Sequence, residues 1–374
     1  MSDLTRSADG DGDAGSAASA VVPTVGTVLS AVVLVALLLP VRRGVDAPAV
    51  WLAAVGALVA TGAFVGRRHG LLERRVSGPA AAGGSLLVVA LAGYAITQGV
   101  LGSIVVPGLE GSISLLFVAL IAAIGTVGVG IADRGGISGR GLYRRLVLTV
   151  EVSVLAVVGL FSISIAALFL SLPVSALVGE PTALQQSLIE YPAYALGLGG
   201  VAAGYLAYRG RDRSFVDLER PTLRTVGWIV LGLVLIFAAN IAISQLMTAL
   251  GIDPSDHSTT QRLAENPELA MVAVPSMLLF VGPFEELFYR NVIQKSLYER
   301  FSRAGAVLVG SLVFMLVHVT AYATAGPGAM LASLSLVFAL GLVLGAIYER
   351  TDNLLVPALV HGCYNALIFV EYLV

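Results

Sequence analysis

The stretch VGPFEELFYR, residues 281–290, puts two adjacent glutamates and an arginine inside an otherwise apolar run. Further along, FMLVH ends on His318, and HGCYN runs from His361 to Asn365, again in apolar surroundings. Carboxylate, imidazole and amide are groups that transfer protons and donate to developing charge. Ionisable residues at membrane depth are costly and usually mark function. Helical spacing separates their roles. Glu286 and Arg290 stand four apart with the acid first, the favourable order for a same-face ion pair. Glu285 is rotated by about 100° from Glu286 and has no charge at helical spacing, so its partner must come from another helix. Pro283 cannot donate to the carbonyl of Leu279, which predicts a loosened or kinked helix where the acids begin. Phe314 and His318 share a face, as do His361 and Asn365. Two histidines on two helices, an amide one turn away and an unpaired carboxylate form a set that packing does not explain.

The elements that must position this set are membrane helices. Of 374 residues, 57% are hydrophobic and 12% charged, a balance that excludes an ordinary soluble domain. A span needs roughly 20 apolar residues, and eleven segments qualify: 21–40, 47–66, 79–101, 112–132, 146–172, 192–208, 226–250, 271–290, 305–324, 330–348 and 354–374. The expected fold class is therefore all-α, a polytopic transmembrane helix bundle of a multi-pass protein of the cell membrane. Lys and Arg collect in cytoplasmic loops. With the N-terminus inside, loops 67–78, 133–145, 209–225, 291–304 and 349–353 plus Arg6 hold eighteen of them, and the opposite side only Arg42, Arg43 and Arg262. The expectation is N-terminus in, C-terminus out.

Three parts follow: an acidic, Gly- and Ser-rich cytosolic tail at 1–20, expected to be disordered; transmembrane helices at 21–225; and a motif-bearing part at 226–374 with its core at 271–370. Counted from the proposed cytosolic helix ends, Glu285, His361 and His318 lie roughly 8, 11 and 20 Å deep at ~1.5 Å per residue, which predicts one cavity opening to the cytosol.

Other polar residues have plainer readings. Glu151 can pair with Arg144 or Arg145 or snorkel. Asn240 and Gln245 are expected to form interhelical hydrogen bonds. The single cysteine, Cys363, excludes an intramolecular disulfide and any multi-cysteine metal site.

Together EELFYR, FMLVH and HGCYN resemble the three motifs EExxxR, FxxxH and HxxxN of the CPBP family, the CAAX-processing and bacteriocin-immunity (Abi) intramembrane proteases. Each motif alone is weak; their order and spacing from Glu285 to Asn365 make the match specific, over about the last 110 residues. The resemblance implies an intramembrane endopeptidase with Glu285, His318, His361 and Asn365 catalytic and Glu286 and Arg290 supporting them. Peptide hydrolysis needs a held, deprotonated water and donors for the oxyanion. On this reading Glu285 is the base, His318 helps hold the water, and His361 and Asn365 face the oxyanion. Family members are often described as metalloproteases, and a zinc ion on His318, His361 and Glu285 is a plausible set. No HExxH exists in the chain, and a metal-free mechanism fits the same residues. The implied partners are the lipid bilayer and a membrane-embedded or lipid-anchored protein or peptide substrate, CAAX-type or other, with no nucleic acid.

Competing readings are a transporter, a non-enzymatic scaffold or immunity protein on the same fold, and a serine protease using Ser138 of GISG. Transporters spread polar groups over both halves of the chain, whereas here they crowd into the last quarter. Ser138 sits among Arg134, Arg140, Arg144 and Arg145, where a glycine-rich turn is the natural explanation. Cys363 is separated by helical rotation from His361 and reads as a small buried thiol.

Overall fold

The computed structural model describes residues 11–108 and 110–373, with the side chains of 11–19 left aside. The first half of the expected tail, residues 1–10, lies outside the described residues. In lipid every backbone polar group must be satisfied within its own segment, so apolar runs of this length fold as helices. Among the described residues nine helices are long and apolar enough to cross a membrane. The protein is an all-α, multi-pass integral membrane protein. The nine coincide with nine of the segments expected from the sequence. The other two, 192–208 and 305–324, fall on the helix Ala183–Tyr208 and the shorter apolar helix Arg303–Val317.

The chain divides into two compact units, Met1–Leu146 and Val147–Val374. In the first, α1 (Asp11–Arg42), α2 (Pro48–Arg68), α3 (Arg74–Thr97) and α4 (Leu115–Arg134) pack in a ring, each against its sequence neighbours and α1 against α4. Small residues let the backbones meet: a Cβ at Gly56 would lie 2.7 Å from the Gly84 carbonyl oxygen. A short antiparallel hairpin, Ser103–Val105 with Ser112–Ser114, joins α3 to α4. Buried Asp133 accepts from Ser77 Oγ at 2.9 Å and pairs with Arg67 at 3.4 Å.

The second unit begins within α5 (Gly139–Val178) and continues through α6 (Ala183–Tyr208), α7 (Leu223–Ala249) and the short α8 (Ser258–Glu265). Then come α9 (Pro267–Leu297), α10 (Arg303–Val317), α11 (Pro327–Thr351) and α12 (Leu355–Phe369). Local sequence sets the starts: Thr182, Thr222 and Ser302 accept from a backbone N–H in the first turn of α6, α7 and α10, and Pro267 and Pro327 open α9 and α11. Ser138 likewise accepts from Gly141 N at 3.2 Å, the plain role of the GISG turn. The motif part expected at 226–374 lies wholly in this unit. Helices α5 and α6 belong to it as well, because Val152, Ala156, Leu198 and Ala202 form one apolar core with Phe288, Val292 and Phe314.

Glu151 finds partners across this unit: Arg209 Nη1 at 2.9 Å and the Tyr205 hydroxyl at 3.0 Å. Glu151 and Arg209 come together because α5 and α6 run antiparallel. Asn240 donates to the Tyr364 hydroxyl at 2.6 Å, joining α7 to α12 as expected. Gln245 is exposed and makes no such bond among the described residues.

Candidate active site

Helix α9 is irregular where the acids sit. Its backbone widens to π-helical turns at Met277–Val281 and Leu287–Gln294, flanking the α-helical turn Gly282–Glu286 that holds Pro283, Glu285 and Glu286. π-turns inside helices are frequent at functional sites, and here they are the form taken by the loosening that Pro283 foretells. Close approach to α12 is built in: a Cβ at Gly282 would meet the Ala358 carbonyl oxygen at 2.6 Å and Gly362 N at 2.8 Å.

The two glutamates have different surroundings. Glu286 is fully buried. Arg290 Nε donates to its Oε2 at 2.9 Å, and His361 Nδ1 lies 2.9 Å from its Oε1. The i+4 pair is present, and the second partner, from α12, was not legible in the spacing. Arg290 is also fully buried, with its guanidinium carbon 4.8 Å from the centre of the Phe314 ring. A charge removed from water must be paired, and a cation over an aromatic face gains further attraction.

Glu285 makes no hydrogen bond to another described residue. Its closest ionic neighbour is His361, with Nε2 4.0 Å from Glu285 Oε2, too far for a direct hydrogen bond. Thus one imidazole stands between the adjacent acids, anchored on Glu286 and presenting its other nitrogen beside Glu285. His318 ends α10. Its Nδ1 lies 2.7 Å from the Phe314 carbonyl oxygen; a carbonyl can only accept, so this nitrogen carries a proton and Nε2 of the neutral ring is left with its lone pair. The Phe314 ring is the hub, with centroids 4.5 Å from His318, 5.1 Å from Tyr289 and 5.9 Å from His361.

Glu285, His318, His361 and Asn365 all line one cavity of about 380 Å³. Glu286 and Arg290 stand behind it, and Cys363 is not in its wall. The sequence reading missed Tyr194, Tyr289 and His257, which also line it. Tyr289 lies within the first motif and could have been flagged there; Tyr194 and His257 reach the cavity only through tertiary packing of α6 and the loop before α8. Among the described residues no three His, Cys, Asp or Glu side chains gather to hold a metal ion. Nδ1 of each histidine is held, by the Phe314 carbonyl oxygen and by Glu286, the kind of support that a histidine ligating a metal through Nε2 also has.

Glu285 lies deeper than the helix ends predicted from sequence would put it. Helix α9 runs on to Leu297, which leaves Glu285 ~18 Å from that end at ~1.5 Å per residue. No residue of loops 291–304 or 349–353 lines the cavity.

Residues 267–367 match the family model described as Type II CAAX prenyl endopeptidase Rce1-like. This segment is similar to the Rce1-like, CPBP family. The matched range holds all three motifs of the Rce1-like segment and the whole of α9, α10 and α11. Among curated proteins, "Putative membrane peptidase YdiL" of Bacillus subtilis (strain 168) is 29% identical over 151 residues, covering 39% of this chain. The match spans 56% of the relative's own length. No solved structure matches.

Proposed function

We propose that this protein is an intramembrane endopeptidase that hydrolyses a peptide bond of a membrane-associated substrate, with a water activated by Glu285 and held by His318. The observation that carries the reading is the contrast between the adjacent acids: Glu286 is locked by Arg290 and His361, whereas Glu285 faces the cavity with no hydrogen-bond partner of its own among the described residues. The Rce1-like match over 267–367 and the peptidase name of the Bacillus subtilis relative support the same class of reaction.

The steps use the protein's own groups. The lone pair on His318 Nε2 accepts from the water, and Glu285 takes one of its protons. The resulting hydroxide adds to the scissile carbonyl carbon. Asn365 Nδ2 and His361 Nε2, one turn apart on α12, donate to the oxyanion, and the Glu286 carboxylate behind His361 supports its positive charge as it does so. The carbon–nitrogen bond then breaks, and the proton held by Glu285 passes to the leaving amine. Pairing Glu286 with both Arg290 and His361 fixes the ring in position, which is the form of positional control that sustains a general-base mechanism.

The test is hydrolysis of a fluorogenic peptide library, and of a prenylated CAAX peptide, by purified protein and by Glu285→Gln. Cleavage by the wild type that the variant lacks supports the reading; substrate-gradient uptake into proteoliposomes without cleavage would favour a transporter.

A further inference from the structure

The two ends of the second unit are built differently. One end is made by the loop after α6, the turn between α9 and α10 and the turn between α11 and α12. It is closed by a latch, residues 212–219, folded over the end of α9. The side chain of Asn291, fully buried, donates to the Phe215 carbonyl oxygen and accepts from Asp217 N, both at 2.9 Å. Lys295 Nζ reaches the Phe215 carbonyl oxygen and Asp217 Oδ1, each at 2.7 Å. The Tyr348 hydroxyl donates to Asp217 Oδ2 at 2.6 Å, and Leu354 N to the Asp217 carbonyl oxygen at 2.6 Å. Arg290 and Gln294, neither exposed at all, fill the space between this latch and the glutamates. None of these residues lines the cavity.

At the opposite end the cavity wall includes the exposed residues Ser258 and Thr320. Beside them the rings of His257 and Tyr322 meet edge to face at 5.0 Å. The mouth therefore lies between the start of α8 and the chain just after His318.

Charge orients these two ends. Every Lys and Arg of the unit lies at the latched end except Arg262 and the buried Arg290. Basic loops stay in the cytosol, so the latched end is the cytosolic one. From the latch, the position of the mouth and this charge asymmetry we infer that the scissile segment reaches Glu285 from the non-cytosolic face of the membrane, through the opening at Ser258 and Thr320. This rests on the peptidase reading above and narrows its substrate class to a polypeptide segment exposed at, or entering the bilayer from, that face. The cavity wall of Leu, Ile, Val and Tyr side chains suits an apolar stretch of such a segment. A prenylated CAAX tail in the cytosol meets the latched end instead.

Two measurements on the full-length protein decide it. In a Cys363→Ser background, Ser258→Cys, Thr320→Cys and, at the exposed turn after α9, Arg300→Cys are treated with a membrane-impermeant maleimide, in intact cells and in inverted vesicles. Ser258→Cys and Thr320→Cys should label from outside the cell, and Arg300→Cys only in inverted vesicles. Separately, an impermeant fluorogenic peptide is offered to sealed proteoliposomes of known orientation, before and after detergent. Cleavage before detergent should occur only where the mouth faces the peptide and the basic end faces the lumen. Labelling of Thr320→Cys from the cytosolic side, or cleavage of peptide presented to the basic end of sealed vesicles, overturns the inference. Absence of cleavage even in detergent overturns the peptidase reading instead, and the labelling still decides which face the mouth is on.

Discussion

His361 Nδ1 lies 2.9 Å from Glu286 Oε1, and the other nitrogen of the same ring is 4.0 Å from Glu285 Oε2. A single side chain from α12 thus distinguishes two neighbouring acids on α9. It ties the one already paired with Arg290 and leaves the other facing the cavity. The distinction between a supporting and a reacting glutamate, argued from i+4 spacing alone, acquires a second physical basis in this contact.

Glu286→Gln removes the charge opposite Arg290 at a site with no exposure on either side. Breaking a buried pair by removing one partner costs about 3–5 kcal/mol, so thermal unfolding in detergent should shift clearly downward. The glutamine carbonyl can still accept from His361 Nδ1, so the folded fraction should keep measurable turnover. Glu286→Leu, which cannot accept, should lose both.

The backbone contact between α9 and α12 sets the distance from the glutamates to His361. A Cβ at Gly282 would overlap the Ala358 carbonyl oxygen and Gly362, whereas one at Gly200 meets nothing within 4 Å. Gly282→Ala should lower both melting temperature and turnover, and Gly200→Ala should leave both near wild type. Equal behaviour of the two variants would remove helix spacing from the account.

Asn365→Ala deletes one proposed oxyanion donor without touching the apolar core. Loss of one such donor typically lowers turnover about 10²–10³-fold, and here the melting temperature should stay unchanged. A variant with wild-type turnover would take Asn365 out of the reaction.

Metal dependence separates the two mechanisms that the sequence allows. In the protein-only scheme Glu285 is the base and His318 Nε2 holds the water, so turnover should persist after extensive chelation. One zinc per chain that is lost together with activity, and restored together with it, would replace the protein-only scheme by a metal-assisted one.

Much of this site is legible in the sequence because helical spacing is local. The Glu286–Arg290 pair, the shared face of Phe314 and His318, and the placing of His361 and Asn365 in one wall all follow from i+4 geometry. What spacing cannot supply is contact between helices. The bond from His361 to Glu286, the reach of Tyr194 into the cavity and the pairing of Glu151 with Arg209 depend on which faces pack. The helix ends were misread for a related reason. Asn291, Gln294 and Lys295 look like loop residues because they are polar, yet they continue α9, since the latch at 212–219 and the backbone of α11 satisfy their side chains. That shift of the end of α9 puts Glu285 ~18 Å from it, deeper than the shorter helix read from the sequence implied.

The most direct test of the central claim is the turnover of Glu285→Gln, measured beside its melting temperature on the peptide the wild type cleaves best. The substitution keeps size and shape and removes only the base. The protein should unfold at the wild-type temperature and lose at least ~10²-fold in turnover, the usual scale of a general base. Near-normal turnover in Glu285→Gln, with a folded but inactive Glu286→Gln, would show that the base is the other glutamate and that His361 and Arg290 flank the reacting carboxylate rather than its support.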